Sequence, residues 1–352
     1  SAPGHRIATV GPVAADRSSM GTDDPAARTL RDANLDAMDG ADVDVLVIGG
    51  GINGAVSAAA LADRGLSVVL AERGDFAGMT SQESSNLVWG GFKYLENYEL
   101  PLVWKLCRSR NQLMKAYPTG IKEIGFLATL DRTAPFPSWL AALGSAAYWA
   151  IGGFATSRPS YLRPAAIERR EPVVDTVSAS AGIEYADAYL TENDARFTWS
   201  FVRSALDRGA LAAHELSIDH LERFEDGWRA EATDVITGRP IGVKARAVVN
   251  AGGPLVDGVN EDLAVTTNHR IVYSKGIHLV VPRLTDSERV LAFFDDTKRL
   301  FYVIPLAHRS VIGTTDTRTE AHDEGVTDDD RRFLLEQINA RLDLDQPLTT
   351  DD

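Results

Sequence analysis

Hydrophobic residues first form a regular pattern just after residue 44. The run 45–48 is apolar without interruption, which is typical of a strand buried on both faces of a parallel sheet. A helix rich in small residues is predicted over 55–64, with Gly65 where helices commonly end. A second buried strand is predicted over 67–71. The pattern therefore predicts a strand–loop–helix–strand unit.

The remaining chain is predicted as a mixture of helices and short strands. Amphipathic helices are predicted over 100–117, over 194–208 and from Thr327 onward. Alternating residues predict a hairpin around Thr237-Gly238, a further buried strand over 247–250, and strands of one antiparallel sheet over 278–281, 300–304 and 310–313.

Two segments lack a clear period. Residues 1–40 predict a mostly disordered tail with a helix over 26–38, so that order begins at Asp44. Residues 118–180 contain several prolines and predict irregular structure. Within them, the apolar stretch 138–154 is interpreted as a buried helix, with a membrane-surface anchor as the alternative.

Composition narrows the class of protein. The chain has 352 residues, 44% of them hydrophobic and 24% charged, as in a globular protein of two domains. Its net charge of −14 argues against a nucleic-acid partner, which needs a basic face. This net charge does not exclude a small anionic substrate, which needs only a local basic pocket. Cys107 is the single cysteine, so no intrachain disulfide forms, which fits a cytoplasmic location. No metal site is predicted.

A glycine loop follows the first strand. Gly49, Gly51 and Gly54 fit the pattern G-x-G-x-x-G, with Ile52 and Asn53 between the second and third glycines. In this pattern the first glycine permits a tight turn, the second admits a pyrophosphate, and the third brings helix and sheet together. The helix N-terminus then offers N–H groups to the phosphates. Because the loop lies between a predicted strand and helix, it predicts a dinucleotide site.

The residues after this unit favour FAD over NAD, which the unit alone does not distinguish. Glu72 ends the second strand, where a carboxylate accepts hydrogen bonds from ribose hydroxyls, and Arg73 beside it is counted among the cofactor contacts. A hydroxyl-rich loop suited to phosphate and ribityl contacts then supplies Thr80, Ser81, Ser84 and Ser85. Later, the strand over 247–250 runs into Ala251 and Gly252, small residues that let the chain approach a bound cofactor.

A longer order of motifs carries a resemblance to a known family. The strongest segments are 44–55 and 84–98, the latter with Gly90-Gly91 followed by Lys93-Tyr94-Leu95-Glu96. Further matches are at 184–187, 194–196, 249–254, 275–278 and 312–316. Over about 44–342, the chain resembles the FAD-dependent glycerol-3-phosphate dehydrogenases of the glutathione-reductase-like (D-amino-acid-oxidase-like) flavoprotein superfamily.

The resemblance implies an α/β fold, α+β overall. A Rossmann-like FAD-binding domain over 41–110 and 186–265 would be interrupted by a substrate domain with an antiparallel sheet, over 111–185 and 266–352. The sequence ends at Asp352, before a Gly-Val-Arg-Pro motif, a Gly-Gly-Lys segment and a helical domain found in the family. We therefore expect an N-terminal portion that holds the flavin half of FAD weakly.

The resemblance also implies a reaction. Family members oxidise sn-glycerol 3-phosphate to dihydroxyacetone phosphate by hydride transfer from C2 to flavin N5, and pass the electrons to a quinone at the membrane surface or, in some cases, to oxygen. His278 is the base candidate, since its ordinary pKa lies near neutral pH; a structural core histidine is the alternative. Lys93 would attract the phosphate and Tyr94 would bond a substrate oxygen. Lys275 and Arg270 are further basic candidates, and Gly90 and Gly91 are expected near the cofactor.

Two departures from the family pattern keep other functions open. Trp89 stands where most members have histidine, and Lys93 where they have arginine. Lysine binds phosphate as a point charge, without the two-pronged geometry of arginine. The alternatives are an FAD oxidoreductase for another hydroxy- or amino-substrate, and a chain without turnover. The expected partners are a small phosphorylated polyol and a quinone or other acceptor, with contact at the inner face of the membrane and a homodimer left open.

Overall fold

The computed structural model describes residues 29–131, 134–224, 226–295, 298–320 and 325–352. These residues fold as two compact units. The first unit contains residues 29–84 and 192–272, and the second contains 85–191 and 273–352. The breaks after residues 84, 191 and 272 differ from the predicted domain boundaries at 110, 185 and 265. The first break comes early because the strand at 87–88 pairs with a strand of the second unit.

The helices in chain order are α1 (Leu30–Met38), α2 (Ile52–Ala62), α3 (Leu100–Ala116), α4 (Ser138–Ile151), α5 (Pro164–Arg170), α6 (Asp194–Leu206), α7 (Val256–Asp262) and α8 (Asp328–Asn339). Two short 3₁₀ helices cover Phe92–Asn97 and Gly253–Leu255.

The strands in chain order are β1 (Ala41–Ile48), β2 (Val68–Ala71), β3 (Leu87–Val88), β4 (Ile121–Asp131), β5 (Ser160–Leu162), β6 (Ala179–Leu190), β7 (Leu211–Ala213), β8 (Leu216–Phe224), β9 (Gly227–Asp234), β10 (Pro240–Asn250), β11 (Ser274–Lys275), β12 (His278–Pro282), β13 (Val290–Phe294), β14 (Leu300–Leu306), β15 (Arg309–Gly313) and β16 (Thr317–Arg318).

The first unit is built on one sheet with helices on both faces. Its strand order is β7-β2-β1-β10-β9-β8. The first four strands are parallel, and β9 and β8 extend the sheet as an antiparallel pair. Val45 and Val47 pack against α2 and α6, whereas Leu46 and Ile48 pack in the cluster that contains α1. Burial on both faces explains the unbroken apolar run of β1.

The second arm of the predicted hairpin and the predicted strand over 247–250 form one continuous strand, β10. β10 pairs with β9 in antiparallel fashion near its start and with β1 in parallel fashion along most of its length. The hairpin prediction is thus confirmed, and residues 247–250 form a strand as predicted, although they continue the second strand of the hairpin and are only partly buried. The backbone stays extended through Arg246, so no turn separates the two segments.

The predicted disordered tail is wrong for its last part. α1 begins with a capping box in which Thr29 and Asp32 exchange hydrogen bonds. Leu35 and Met38 are buried, and Arg31 donates to the carbonyl of His214. The predicted helix is therefore present from Leu30, and β1 begins at Ala41 rather than Asp44. Residues 1–28 lie outside the described residues.

The second unit contains a mixed sheet of eight strands. The order is β12-β15-β14-β13-β4-β6-β3, and β5 also pairs with β6. The antiparallel pairs β12–β15 and β14–β15 confirm the sheet predicted over 278–313. A small separate pair joins β11 to β16. α8 begins with the capping box of Thr327 and Asp330, as its predicted cap required.

The prediction of irregular structure over 118–180 is wrong, because the segment contains β4, α4, β5 and α5. β4 buries Ile121 and Ile124 at its start, exposes Lys122 and Glu123 between them, and pairs along its whole length with β6. The buried-helix prediction for 138–154 holds for one face of α4 only. Tyr148 is buried, whereas Trp139 and Leu143 are exposed. Among the described residues, every helix is too short or too polar to cross a bilayer.

Candidate cofactor and substrate sites

The glycine loop of the first unit is closed by the end of β10. Gly49 has φ = 103°, and a Cβ there would lie 2.4 Å from the carbonyl oxygen of Ala251. A Cβ on Gly54 would lie 1.8 Å from the carbonyl oxygen of Gly49. A side chain at either position would therefore collide with backbone. The structure brings the loop and the predicted strand end at 251–252 together.

The N-terminus of α2 lies directly after this loop. Gly51 is the N-cap of α2, and because it has no side chain it makes no capping hydrogen bond to the first turn. The amide of Ile52 donates to Ser81 Oγ at 2.9 Å, while the side chain of Asn53 is exposed. A hydroxyl group thus occupies one position at a helix end that attracts anions. Ser81 is the member of the hydroxyl-rich loop that reaches the glycine loop.

The Glu72 carboxylate accepts hydrogen bonds from two backbone amides, one in the glycine loop and one just after Glu72 itself. Its Oε2 accepts from the amide of Gly50 at 2.6 Å, and its Oε1 accepts from the amide of Gly74 at 2.7 Å. These bonds fix the carboxylate beside the glycine loop, and each oxygen retains capacity for one further donor, such as a ribose hydroxyl. Arg73 is exposed.

The other hydroxyl residues are dispersed. Ser84 donates to Asp194 at the start of α6, Thr80 is exposed, and Ser85 belongs to the second unit. Gly252 donates its amide to Asn250 Oδ1 at 3.1 Å. The loop, the open helix end and the fixed carboxylate nevertheless form a cradle that a Cβ would fill, and this cradle fits the adenosine and pyrophosphate half of FAD.

In the second unit, a buried polar network binds the backbone amide of Gly90. Asp187 accepts from Arg110 Nη1 at 2.6 Å, from Tyr148 Oη at 2.8 Å and from the amide of Gly90 at 3.0 Å. The side chains of Arg110 and Asp187 are 1% and 0% exposed. Burial raises the pKa of the Asp187 carboxyl, partly offset by Arg110, and also raises that of Tyr148. Arg110 and Tyr148 were not predicted; only Asp187 lay in a matched motif.

The loop held by this network carries Lys93 and Tyr94. Both lie on the 3₁₀ helix Phe92–Asn97. The Lys93 side chain is exposed, and Tyr94 is half-buried with its ring 6.0 Å from that of Trp89. The exposed Lys93 ammonium is therefore accessible to an anionic group such as a phosphate.

His278 lies in a row of residues across the sheet. It pairs with Gly313 on β15, and Gly313 pairs with Tyr302 on β14. Directly paired residues point to the same face, and a Cβ on Gly313 would lie 2.4 Å from His278 Cδ2. The imidazole therefore lies over Gly313, in the space that a side chain at this position would need. Burial lowers the pKa of His278, so the ring is neutral at pH 7 and able to accept a proton.

The other two basic candidates each form an ion pair with a carboxylate. Lys275 Nζ lies 2.7 Å from Asp330 Oδ2 and donates to the carbonyl of Gly325. It ties β11 to the capped start of α8. Arg270 belongs to the first unit and pairs with Glu261 at 2.8 Å. Both cations are thus already paired with a carboxylate of the protein.

An aromatic cluster covers the same face of the sheet. The ring of Tyr185 is stacked between Phe92 and Phe126, with centroids 4.7 Å and 4.9 Å away. Tyr302 and Tyr94 pack against the same cluster. Within the described residues, the buried Trp89 Nε1 and Tyr185 Oη have no hydrogen-bond partner. No sequence pattern indicated these two groups.

A pocket of about 1130 Å³ opens where β4 and β13 begin, and Phe126 and Tyr185 of this cluster are among its lining residues. Its charges largely neutralise one another. Arg289 pairs with Glu171 at 2.8 Å and with Glu184 at 3.4 Å, and Arg170 also pairs with Glu184. None of the predicted site residues lines this pocket.

Comparison with known proteins identifies the family of the chain. The sequence matches the model of the FAD dependent oxidoreductase family over residues 44–350. It is 34% identical over 306 residues to the D-erythritol 1-phosphate dehydrogenase of Brucella abortus, covering 84% of this chain and 59% of that protein. It is 33% identical over 305 residues to the aerobic glycerol-3-phosphate dehydrogenase of Escherichia coli, covering 85% and 59%.

A solved structure gives the same result. The glycerol-3-phosphate dehydrogenase of Bacillus halodurans complexed with FAD aligns with a TM-score of 0.70 and 25% identity, over 88% of this chain and 55% of that chain. The chain thus spans little more than half the length of the relatives that it matches. The family match covers most of the sequence and includes the glycine loop. The chain therefore belongs to the FAD dependent oxidoreductase family, and FAD is its cofactor.

Proposed function

We propose that the protein oxidises sn-glycerol 3-phosphate to dihydroxyacetone phosphate. One observation carries the proposal: a half-buried, neutral His278 shares a sheet face with Tyr302 across Gly313. That face also bears Tyr185, against which the helix of Lys93 and Tyr94 packs through Phe92. Oxidation of an alcohol needs a proton acceptor, and the exposed Lys93 on the adjoining 3₁₀ helix offers a cation for a phosphate.

Each residue has a defined part in this proposal. The imidazole of His278 accepts the proton of the hydroxyl that is oxidised, and its lowered pKa keeps it unprotonated at neutral pH. Lys93 attracts the phosphate as a flexible point charge. Tyr94 donates to a substrate oxygen. FAD, when bound, supplies the acceptor for the hydride.

A second candidate is oxidation of D-erythritol 1-phosphate. The Brucella relative that carries this name is 34% identical, about as similar as the glycerol-3-phosphate dehydrogenase of E. coli. Trp89 and Lys93, which depart from the family pattern, lie in the loop expected to contact substrate. These departures support a polyol phosphate with a different chain length.

For the electron acceptor we propose a quinone at a membrane surface. The support is the exposed apolar side of α4, where Trp139 and Leu143 are 65% and 60% exposed, with Phe154 just beyond. Such a surface inserts into the headgroup region without spanning the bilayer. A homodimer stays a prediction.

The test uses the complete enzyme loaded with FAD. Adding sn-glycerol 3-phosphate should reduce an artificial electron-accepting dye, and the rate should saturate with substrate. D-erythritol 1-phosphate, tested in parallel, distinguishes the two candidates by kcat/KM. Full flavin absorbance without dye reduction by either phosphate would overturn the proposal.

A further inference from the structure

Two consecutive glycines, Gly90 and Gly91, directly precede the 3₁₀ helix Phe92–Asn97, which carries Lys93 and Tyr94. Gly91 is the N-cap of that helix and has φ = 85°. Glycine has no Cβ and reaches more backbone conformations than any other residue, so two in succession favour a hinge. A hinge at this place would let the helix change direction, and the Lys93 ammonium with it.

The protein holds the backbone of Gly90 at both of its polar atoms. The amide donates to Asp187 Oδ1 at 3.0 Å, and the carbonyl oxygen accepts from the Cys107 thiol at 3.5 Å. The space beside the Cα is also filled, because a Cβ on Gly90 would lie 2.1 Å from Tyr148 Oη and 2.9 Å from Arg110 Nη1. Side chains of α3, α4 and β6 thus enclose the first glycine of the hinge.

Tyr148 links this enclosure to the 3₁₀ helix itself. Its hydroxyl donates to Asp187 Oδ2 at 2.8 Å and accepts from Arg110 Nη1 at 3.2 Å. Its ring meets the ring of Phe92, the first residue of the helix, edge to face with the centroids 5.2 Å apart. One side chain therefore fixes both the carboxylate that binds the Gly90 amide and the first aromatic ring of the helix.

A buried ion pair is a costly way to stabilise a fold. The side chains of Arg110 and Asp187 are almost completely buried, and well-packed apolar residues in place of such a pair are often as stabilising or more so. Apolar residues cannot supply an acceptor for the Gly90 amide. The network thus provides something that packing does not, which is a fixed direction for the peptide at the hinge.

We infer that Tyr148 and Asp187 are positioning residues, which fix the direction of the 3₁₀ helix and so hold Lys93 where it meets the substrate phosphate. This inference rests on the proposed function, which assigns the phosphate to Lys93. The two residues act through the Gly90 amide and the Phe92 ring. Since a displacement of about 1 Å at a contact can cost about 100-fold, loss of one bond in the network should be measurable in KM.

The experiment is a double-mutant cycle on the complete, FAD-loaded enzyme with sn-glycerol 3-phosphate. Tyr148→Phe removes the hydroxyl and keeps the ring against Phe92. It should raise KM about tenfold, the order of one lost hydrogen bond, with a much smaller change in kcat. In Lys93→Ala, where the cation to be positioned is absent, the same substitution should change KM by less than about twofold. Tyr161→Phe is the matched control, because it removes a hydroxyl that lies 3.4 Å from Ser138 Oγ, also on α4, and KM should keep its wild-type value.

Two results would overturn the inference. The first is an unchanged KM in Tyr148→Phe, and the second is a rise that recurs in full in Lys93→Ala, since it would mean that the hydroxyl acts on the fold in general. If Tyr148→Phe does not fold, Cys107→Ala replaces it in the cycle, because it frees the Gly90 carbonyl and leaves the ion pair intact. The weaker thiol bond predicts a rise in KM of about threefold, again only where Lys93 is present, and no rise would overturn the inference.

Hydrogen exchange separates this failure from failure of the proposed function. If the wild-type enzyme oxidises neither polyol phosphate, the proposed function fails, and amide exchange over residues 92–97, followed by mass spectrometry, decides the positioning role. Faster exchange there in Tyr148→Phe than in Tyr161→Phe supports that role, and equal exchange in the two variants overturns it.

Discussion

Asp187→Asn removes one charge from the buried Arg110–Asp187 pair while keeping the shape of the side chain. The amide oxygen of the new residue still accepts from the backbone of Gly90, and the Tyr148 hydroxyl turns to accept from the amide nitrogen. What is lost is the charge opposite Arg110, whose side chain is 1% exposed. Breaking a buried pair from one side costs about 3–5 kcal/mol, and the retained bonds favour the lower end, about 3 kcal/mol.

A double-mutant cycle tests whether that cost comes from the pair. Arg110→Met leaves the Asp187 carboxylate buried without its cation and should cost about 3–5 kcal/mol by itself. The double variant Arg110→Met/Asp187→Asn removes both charges. Its loss of unfolding free energy should therefore be at least about 1 kcal/mol smaller than the sum of the losses in the two single variants.

The assay is urea unfolding followed by circular dichroism, with equal m values required for comparison. Glu192→Gln is the control, because it breaks an exposed ion pair with Arg196 in which both side chains are about two-thirds exposed and should cost less than about 0.5 kcal/mol. The reasoning is refuted if the free energy of unfolding of Asp187→Asn lies within about 1 kcal/mol of the wild-type value. It is also refuted if the loss in the double variant equals the sum of the losses in the two single variants.

Three further predictions concern the cofactor and substrate residues. Gly54→Ala should yield protein with almost no flavin absorbance, because its Cβ would lie 1.8 Å from the Gly49 carbonyl oxygen; Gly242→Ala, with open space around it, should retain flavin. Lys93→Ala should raise KM for sn-glycerol 3-phosphate by about 10- to 100-fold and far less for glycerol, and equal increases would refute a phosphate contact. Since burial lowers the pKa of His278 below its ordinary 6.5, protonation sets in only below that value. The acidic limb of kcat/KM should therefore lie below pH 6.5 and be absent in His278→Asn; a limb above 6.5 would contradict the assignment.

Local sequence signals predicted the first unit well. The glycine loop, α2 and the buried strands follow from residues close together in the chain, and even the approach of Ala251 was signalled by small residues at a strand end. The antiparallel strands of the second unit and the cap of α8 also followed from local alternation and from Thr327 with Asp330 three residues on.

Contacts between distant residues were beyond such signals. Arg110 lies one helical turn after Cys107 on the buried side of α3. Hydrophobic periodicity predicts that a charged residue is at the surface, so it gave no sign of this burial. Its partner, Asp187, is 77 residues away. Lys275 was predicted at the active site from its motif, whereas its ion pair with Asp330 depends on a residue 55 positions later.

The position of β1 has a consequence for synthesis on the ribosome. β1 lies between β2 and β10, and the carbonyl of Ala251 closes the turn at Gly49. About 200 residues separate the two, so at about 5–20 residues per second the nascent strand waits roughly 10–40 s for its second neighbour. Throughout that interval an apolar strand edge is exposed to other nascent chains. A chaperone that shields such edges should therefore raise the yield of cofactor-loaded protein more than the yield of total protein.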